Sequence, residues 1–289
     1  MNILITGSNG QLGSEIKDIA ANYTGLNFIF MDLPALNICD KKQLEQLIVE
    51  KQINAVINCA AYTAVDKAEE EKENALKVNA DGVLNIVNAL KKVNGKLIHI
   101  STDYVFDGYS AVPYQEVDNT NPMGVYGNTK REGELHVLNS DLDAILIRTS
   151  WLYSAYGNNF VKTMLRLGQE RDELGVLFDQ VGTPTYAGDL AKVCLEILFK
   201  EKNKISAHGK LYHFSNEGIA SWYDFAIAIM NIGKVDCKVK PIETKDYPTP
   251  AKRPHFSVLN KSKIKNDFEI EIPYWRDSLA VCISKLNKK

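Results

Sequence analysis

Short apolar runs alternate with longer stretches of mixed polarity through the first half of the chain. The runs are continuous in Val, Ile and Leu, which is typical of strands buried on both faces. They predict five strands, at residues 2–6, 27–32, 54–59, 96–101 and 144–149. The stretches between them predict helices near residues 11–22, 41–51, 73–93 and 127–139. This alternation predicts the α/β class, with a Rossmann-type, doubly wound parallel sheet covered by helices on both faces.

The alternation becomes less regular after about residue 150. The pattern there predicts helices near 158–171, 187–200 and 221–232, and strands near 175–179 and 211–214. We therefore predict a first domain at 1–150 and a smaller, interleaved lobe at 151–289, with elements near 180–215 returning to the first sheet. The lysines at the end of the chain, Lys285, Lys288 and Lys289, are interpreted as a solvated tail.

The composition excludes several classes of protein. Apolar residues make up 45% of the chain and charged residues 24%, and a net charge of −2 does not indicate a nucleic-acid partner. The five cysteines form no CxxC pair, so a reducing compartment is favoured over a disulfide framework or a zinc site. The chain has neither a signal-like start nor an apolar run of about 18 residues, so we expect a cytoplasmic protein without a membrane partner.

A glycine-rich segment follows the first predicted strand. Gly7 permits a tight turn, Gly10 lets the backbone approach a pyrophosphate, and Gly13 lets the next helix pack against the strand. The start of that helix offers unpaired N–H groups to an anion. The segment therefore predicts dinucleotide binding, with an ordinary turn as the alternative. Gln11 and Leu12 belong to the same predicted site.

Residues after the second and third strands extend this cofactor site. Asp32 ends the second predicted strand and Leu33 follows it. Asp32 lies about 20 positions after the glycine-rich segment, where a carboxylate usually binds the adenosine ribose hydroxyls. Asp32 favours NADH because a carboxylate repels the 2′-phosphate of NADPH, although it is also compatible with a solvated strand end. Asp40 is a candidate adenine contact or a helix N-cap. The site ends with a segment of small residues that comprises Ala60, Ala61 and Thr63.

A hydroxyl, a tyrosine and a lysine lie around the fourth strand and the next helix. Tyr126 and Lys130 are four residues apart, one turn from each other on one helix face. A neighbouring ammonium is expected to lower the tyrosine pKa from about 10. Thr102 ends the strand and can donate to the carbonyl oxygen that Tyr126 protonates. A surface helix pair is the alternative, but the order along the chain favours protonation of a carbonyl that receives a hydride.

These motifs, in this order, are similar to those of the extended short-chain dehydrogenase/reductases. Longer segments resemble one family within that group, the dTDP-4-dehydrorhamnose reductases. These segments are 60–69, 101–106, 125–130, 148–153, 157–160, 179–185 and 247–254. The resemblance extends over nearly the whole chain.

The resemblance implies a function and a set of site residues. The implied reaction is reduction of dTDP-4-dehydro-L-rhamnose by NADPH or NADH, the last step of dTDP-L-rhamnose biosynthesis, with a dTDP-sugar as substrate. Thr102, Tyr126 and Lys130 would be catalytic, and Tyr126 and Lys130 would also bind the cofactor, with Lys130 reaching its nicotinamide ribose hydroxyls. Contacts to the substrate would come from Thr102, Asp103, Tyr104, Trp151, Asn158, Asn159 and Arg253. Arg253 would bind the diphosphate, for which its planar fork of donors is suited.

Some alternatives stay open. Trp151 would equally cap the core, and Arg253 would equally be a solvated surface residue. Another nucleotide-sugar enzyme, such as a 4-epimerase, or a regulatory subunit of methionine adenosyltransferase is also compatible with the motifs. Some members of the family are dimers joined through a metal, and Glu15 matches one ligand position. Gly188 stands where a second acidic ligand is expected, beside Asp189, so we predict no metal and leave a homodimer open.

Overall fold

A computed structural model describes residues 1–200, 205–206 and 209–288 of the chain. The strands are β1 Asn2–Thr6, β2 Asn27–Met31, β3 Ala55–Asn58, β4 Lys96–Thr102, β5 Asp143–Thr149, β6 Leu152–Tyr153, β7 Glu173–Leu177, β8 Val181–Gly182, β9 Thr185–Tyr186, β10 Leu211–His213, β11 Ala220–Ser221 and β12 Lys238–Ile242. The helices are α1 Gln11–Ile19, α2 Lys41–Glu50, α3 Val65–Ala68, α4 Lys72–Leu76, α5 Gly82–Lys92, α6 Val125–Leu138, α7 Phe160–Glu170, α8 Ala187–Lys200, α9 Trp222–Gly233, α10 Ser262–Phe268 and α11 Trp275–Leu286. No helix within these described ranges is long and apolar enough to span a membrane.

Six parallel strands form the central sheet, in the order β10-β5-β4-β3-β1-β2. The predicted α/β fold with a doubly wound parallel sheet is confirmed. The order reverses between β1 and β3, and in open α/β sheets ligands bind outside the carboxyl ends of the strands at such a point. The carboxyl ends of β1, β3 and β4 lie side by side here. The glycine-rich segment and Thr102 are therefore at one edge of the sheet.

The core has a layer on each face of this sheet. Successive strand residues point to opposite faces, so Ile3 and Ile5 belong to one layer and Leu4 to the other. The first layer includes Leu190 of α8, which packs beside α1, and the second includes Leu44 of α2. Both faces are covered, which explains why the strands read as unbroken apolar runs.

The helix predicted near 73–93 is interrupted. The structure has α4, a π-helical turn at Lys77–Asp81, and then α5. The backbone of Asn79 in this turn lies so close to α6 that a Cβ added at Gly133 would be 2.1 Å from its carbonyl oxygen. The Asn79 amide exchanges hydrogen bonds with the backbone of Tyr62. The turn thus anchors the segment after β3, where cofactor contacts are predicted.

The C-terminal part forms small two-stranded units around an aromatic core. β7 pairs with β12, β8 with β11, and β6 with β9. Buried Tyr153, Phe225 and Trp275 lie at the centre of this core. Sequence patterns did not predict β12, α10 or α11. The strand predicted near 211–214 is β10, which joins β5 at the edge of the main sheet. The division into domains at residue 150 stays a prediction.

The interpretation of the C-terminal lysines as a solvated tail is wrong for Lys285. This residue lies on α11, and its ammonium forms ion pairs with Glu15 and Asp18 of α1. Glu15 is buried, and a buried carboxylate requires such partners. Lys288 is exposed as predicted, and Lys289 lies outside the described residues.

Candidate active site

Close packing forces the shape of the glycine-rich segment. Gly7 has a φ of +60°, and a Cβ added there would lie 2.6 Å from the backbone nitrogen of Ala60. A Cβ at Gly13 would lie 2.5 Å from Cα of Ser8. Gly10 precedes α1 without a side-chain cap, so the positive end of the helix is left for an anion. These residues fit the pyrophosphate of a dinucleotide.

The two predicted acidic contacts differ in their surroundings. Asp32 follows β2 and accepts hydrogen bonds from the backbone N–H groups of Asn9 and Leu33, both at 2.8 Å. Its carboxylate therefore lies beside the glycine-rich segment, where a ribose would be bound. Asp40 caps α2 by accepting from the N–H of Gln43 at 3.0 Å. The N-cap interpretation of Asp40 thus has a direct structural basis, and its adenine contact stays a prediction.

Thr102, Asp103 and Tyr104 form a compact turn at the end of β4. The Thr102 hydroxyl donates to Asp103 Oδ1 at 3.0 Å and accepts from the Tyr104 N–H at 3.2 Å. The Tyr126 side chain on α6 lies near the Thr102 hydroxyl, which acts on its pKa. The ring of Tyr104 meets that of Tyr126 edge-on, with centroids 5.3 Å apart. The predicted hydroxyl pair is therefore assembled in the structure.

Lys130 does not have the predicted effect on Tyr126. Burial, with a smaller contribution from the negative charge of Asp103, raises the pKa of Tyr126 to about 12 against the lowering effect of the Thr102 hydroxyl. The Lys130 ammonium instead donates to the carbonyl oxygen of Ile100 at 2.7 Å. Burial also lowers the pKa of Lys130 to about 8. In this protein, desolvation outweighs the expected stabilisation of the phenolate.

A buried ion pair lies beneath the catalytic candidates. Arg148 of β5 donates from Nε and Nη2 to the two carboxylate oxygens of Glu134, both at 2.8 Å. Ser101 donates to the same carboxylate at 2.7 Å, and both charged side chains are at most 1% exposed. Bidentate geometry is required for such a pair to offset its desolvation. It fixes α6, and therefore Tyr126 and Lys130, against β4 and β5.

Trp151 lies directly after β5 and has an unusual backbone. Its φ is +47°, a region that large residues rarely adopt. Its indole stacks on that of Trp222 with centroids 3.5 Å apart and an angle of 7°. A Cβ added at Gly182 would lie 2.7 Å from the Trp151 ring, so only glycine leaves room for it. Phe160 packs on Trp222 with ring centroids 4.6 Å apart.

The two predicted asparagine contacts precede α7. Asn159 caps this helix by accepting from the N–H of Lys162 at 3.1 Å. Its amide nitrogen donates to Gln11 Oε1 at 3.0 Å and to the carbonyl of Ser154 at 2.7 Å. Asn159 therefore links the lobe to the glycine-rich segment, while Asn158 is exposed. Their contacts to substrate stay predictions.

Arg253 reaches the site from the proline-bearing loop. It pairs with Asp66 of α3 at 2.7 Å, across 187 positions of sequence. Asp66 also accepts from the backbone N–H of Ala251 at 3.1 Å, so it holds the loop as well as the guanidinium. The charge of Arg253 also acts on Tyr104. Arg253 therefore lies near Tyr104 and the end of β4.

Several positioning residues were not predicted. Asp66 and Trp222 each contact a predicted site residue, and Ser257 lies close enough to Asp103 to lower its pKa. Glu69 caps α6 by accepting from the N–H of Val125 at 2.9 Å. Asp66 and Glu69 lie in a segment that already resembled the reductases. Ser257 and Trp222 have no local signal, because their partners are far away in the sequence.

Comparison with known proteins agrees with this geometry. A family model described as RmlD substrate binding domain matches residues 1–288. A dTDP-4-dehydrorhamnose reductase from Aggregatibacter actinomycetemcomitans is 42% identical over 283 residues, which cover 96% of each chain. The chain belongs to the dTDP-4-dehydrorhamnose reductase family. As a member it is an oxidoreductase, and the resemblance stated from the motifs is confirmed.

Solved structures of reductases superpose closely on the structure of this chain. One from Clostridium acetobutylicum is 43% identical, with a TM-score of 0.93 over 99% of this chain and 100% of the other. One from Bacillus anthracis, in complex with NADP, is 37% identical, with a TM-score of 0.92 over 98% and 99% of the two chains. The dTDP-4-dehydrorhamnose reductase fold therefore extends over both the sheet and the C-terminal lobe.

Proposed function

We propose that this protein reduces the C4 keto group of dTDP-4-dehydro-L-rhamnose to give dTDP-L-rhamnose, with NADPH or NADH as the reductant. The observation that carries the proposal is the placement of Tyr126 beside the turn of Thr102 and Tyr104 that ends β4, at the same sheet edge as the glycine-rich segment. Membership of the reductase family supports the nucleotide and the sugar. A dTDP-sugar is thus the proposed partner.

The nicotinamide cofactor, when bound, supplies the hydride. Gly7, Gly10 and Gly13 would hold its pyrophosphate, and Asp32 would accept from its adenosine ribose. Ala60 and Ala61, which follow β3, would offer a surface without long side chains on the other side of the glycine-rich segment from Asp32. The solved relative in complex with NADP supports NADPH, and the Asp32 carboxylate supports NADH. Both cofactors therefore belong in the assay.

Tyr126 has the role of general acid. It gives its proton to the C4 oxygen as that oxygen becomes an alkoxide, a contribution of typically 10²–10⁴-fold in rate. Thr102 would hold the same oxygen, and the Lys130 ammonium would bind the nicotinamide ribose hydroxyls. A pKa of about 12 for Tyr126 makes the phenol reluctant to ionise before substrate arrives. The proton is therefore retained until the alkoxide develops.

The lobe provides the surfaces for the remainder of the substrate. Trp151, with Tyr104, would line the sugar pocket, and Arg253 would bind the diphosphate. The guanidinium is held by Asp66, so only part of its donor fork is occupied by the protein. Asn158, which is exposed, would contribute a polar contact.

The assay mixes the purified protein with dTDP-4-dehydro-L-rhamnose and either NADH or NADPH, and follows nicotinamide absorbance. Matched UDP- and GDP-keto sugars are the controls. We expect stoichiometric oxidation of cofactor with the dTDP sugar alone. A protein that purifies with tightly bound NAD and interconverts sugars without net oxidation would be an epimerase. No oxidation with any sugar, and co-purification with a methionine adenosyltransferase, would support the regulatory alternative.

A further inference from the structure

Asn79 is a buried residue whose side-chain amide bonds to two separate parts of the active site. Oδ1 accepts from the backbone N–H of Tyr62 at 2.9 Å, and Nδ2 donates to the Tyr62 carbonyl at 3.1 Å. Nδ2 also donates to Oγ1 of Thr129 on α6 at 3.2 Å. A side-chain amide has two hydrogens to donate and one oxygen that accepts, and all of them are used here. One residue therefore joins the segment after β3 to the helix that carries Tyr126 and Lys130.

Thr129 connects this amide to the backbone of the catalytic helix. Its hydroxyl donates its single hydrogen to the carbonyl of Tyr126 at 3.1 Å, and a lone pair is left to accept from Asn79. The amide of Asn79 cannot be turned over, because its NH₂ group would then face the N–H of Tyr62. Tyr62 and Thr129 together therefore fix the orientation of Asn79.

Close packing holds the backbone of Asn79 against α6 as well. The residue lies in the π-helical turn Lys77–Asp81, and such turns within helices are frequent at functional sites. A Cβ added at Gly133 would lie 2.1 Å from the Asn79 carbonyl oxygen, so only glycine permits this approach. Gly133 is four residues after Thr129 and lies on the same face of α6. Two successive turns of the catalytic helix therefore contact Asn79.

The predicted cofactor contacts at residues 60–63 are thus held at two points. Ala60 packs against Gly7 of the glycine-rich segment, and Tyr62 is bound by Asn79. We propose that Asn79 and Thr129 are positioning residues that set the distance between these cofactor contacts and Tyr126. The identity of the reaction in this proposal rests on the proposed function. The distance matters because displacement of reacting groups by about 1 Å can cost about 100-fold in rate.

The first test needs neither cofactor nor substrate. Thr129→Val keeps the shape of the side chain but removes the acceptor for Asn79, so the Tyr62 amide should exchange its hydrogen about 10-fold faster in NMR hydrogen exchange. Thr129→Ser keeps the hydroxyl and should exchange at nearly the wild-type rate. The N–H of Val125, which Glu69 binds at the start of α6, is the internal control and should not change. Unchanged exchange at Tyr62, or equal acceleration at Tyr62 and Val125, would overturn the proposal.

The second test separates cofactor binding from reaction. In Thr129→Val the bonds between Asn79 and Tyr62 remain, so the Kd for NADPH should stay close to that of the wild type. The single-turnover rate of sugar reduction at saturating NADPH should fall about 10- to 100-fold, and Thr129→Ser should restore it. Asn79→Ala removes all three bonds and should also raise the Kd about 10-fold. Asn85→Ala is the matched control, since its amide binds the carbonyl of Ile38 instead of α6, and it should leave the single-turnover rate unchanged.

The outcomes distinguish the positioning role from the proposed function. A wild-type rate of sugar reduction in Thr129→Val, or a loss that Thr129→Ser does not restore, would overturn the positioning role alone. Lower thermal stability in Thr129→Val and Asn79→Ala, with rate and Kd unchanged, would also overturn it and leave Asn79 as a purely structural residue. Faster exchange at Tyr62 in Thr129→Val and weaker NADPH binding in Asn79→Ala, without sugar reduction by the wild type, would contradict the proposed function alone.

Discussion

The two sides of the proposed active site are held in different ways. On the catalytic side, Thr102 ends a seven-residue strand and Lys130 lies in a fourteen-residue helix. On the substrate side, the backbone of Trp151 is in the left-handed region, and Arg253 lies in a proline-bearing loop. The reacting groups are thus placed by long, buried elements. The substrate-binding groups depend on single contacts between distant segments.

The electrostatic support differs in the same sense. The Arg148–Glu134 pair beneath the catalytic side is at most 1% exposed and bidentate. The Arg253–Asp66 pair is 23% and 41% exposed, so water screens it and substrate can compete for it. Removal of one partner should therefore cost stability in the first case and substrate affinity in the second.

The largest expected effect tests the catalytic side directly. Tyr126→Phe removes the proton donor, and we expect turnover to fall by about 10²–10⁴-fold with cofactor binding nearly unchanged. Tyr104→Phe is the control from the same aromatic pair and should have a much smaller effect. Cofactor titration by fluorescence and steady-state kinetics measure the two quantities. Near-wild-type turnover in Tyr126→Phe would contradict the assignment.

The next effect concerns stability. Arg148→Met leaves the Glu134 carboxylate buried beside fewer positive charges, and we expect a loss of about 3–5 kcal/mol in the free energy of unfolding. The double variant with Glu134→Leu should recover most of it, because no unpaired charge remains. Arg131→Met removes only the more exposed partner of Glu134 and should cost under about 1 kcal/mol. Denaturant unfolding measures the free energy of unfolding of each variant. Equal losses in Arg148→Met and in the double variant would contradict the role of an unpaired buried charge.

On the substrate side, the expected change is in KM. Arg253→Ala removes charge-assisted hydrogen bonds to the diphosphate, so KM for the sugar nucleotide should rise by about 10- to 100-fold with kcat little changed. Arg253→Lys should be intermediate because lysine lacks the planar fork. Lys252→Ala, at the exposed neighbouring position, should leave KM unchanged. A fall in kcat alone would place Arg253 on the catalytic side instead.

The smallest effect concerns the link between the two parts of the molecule. Lys285→Met removes one donor from the buried Glu15, which keeps hydrogen bonds from Ser154 and Tyr186. We expect a loss of about 1 kcal/mol in the free energy of unfolding. Lys288→Met, from the exposed end of the chain, should have no effect. Thermal unfolding of the two variants, side by side, measures this contribution.

Sequence patterns predicted the parallel sheet because its strands are buried on both faces. They did not predict β12, which is short, contains Pro241 and pairs with β7 some distance away in the sequence. Helix α11 did carry a signal, since its buried residues follow helical spacing at Trp275, Leu279, Cys282 and Ile283. The lysines near its end were the misleading feature.

Sequence patterns likewise predicted some residues of the site and missed others. Gly7, Thr102 and Tyr126 were predicted because their chemistry follows from local motifs on known elements. The pairing of Asp66 with Arg253 has no local pattern, because it depends on how the lobe folds back over the sheet. The pKa of Tyr126 was expected to fall and instead rises to about 12, since a sequence motif gives neighbours but not burial.

The position of β10 has a consequence for synthesis of the protein. This three-residue strand covers the edge of β5, with Leu211 opposite Leu146 and His213 opposite Arg148. Until β10 has left the ribosome, a growing chain presents the β5 edge as a row of unpaired amides and carbonyls, which is a template for another strand. The edge of β5 therefore stays open to other strands while residues 150–210 are still being made.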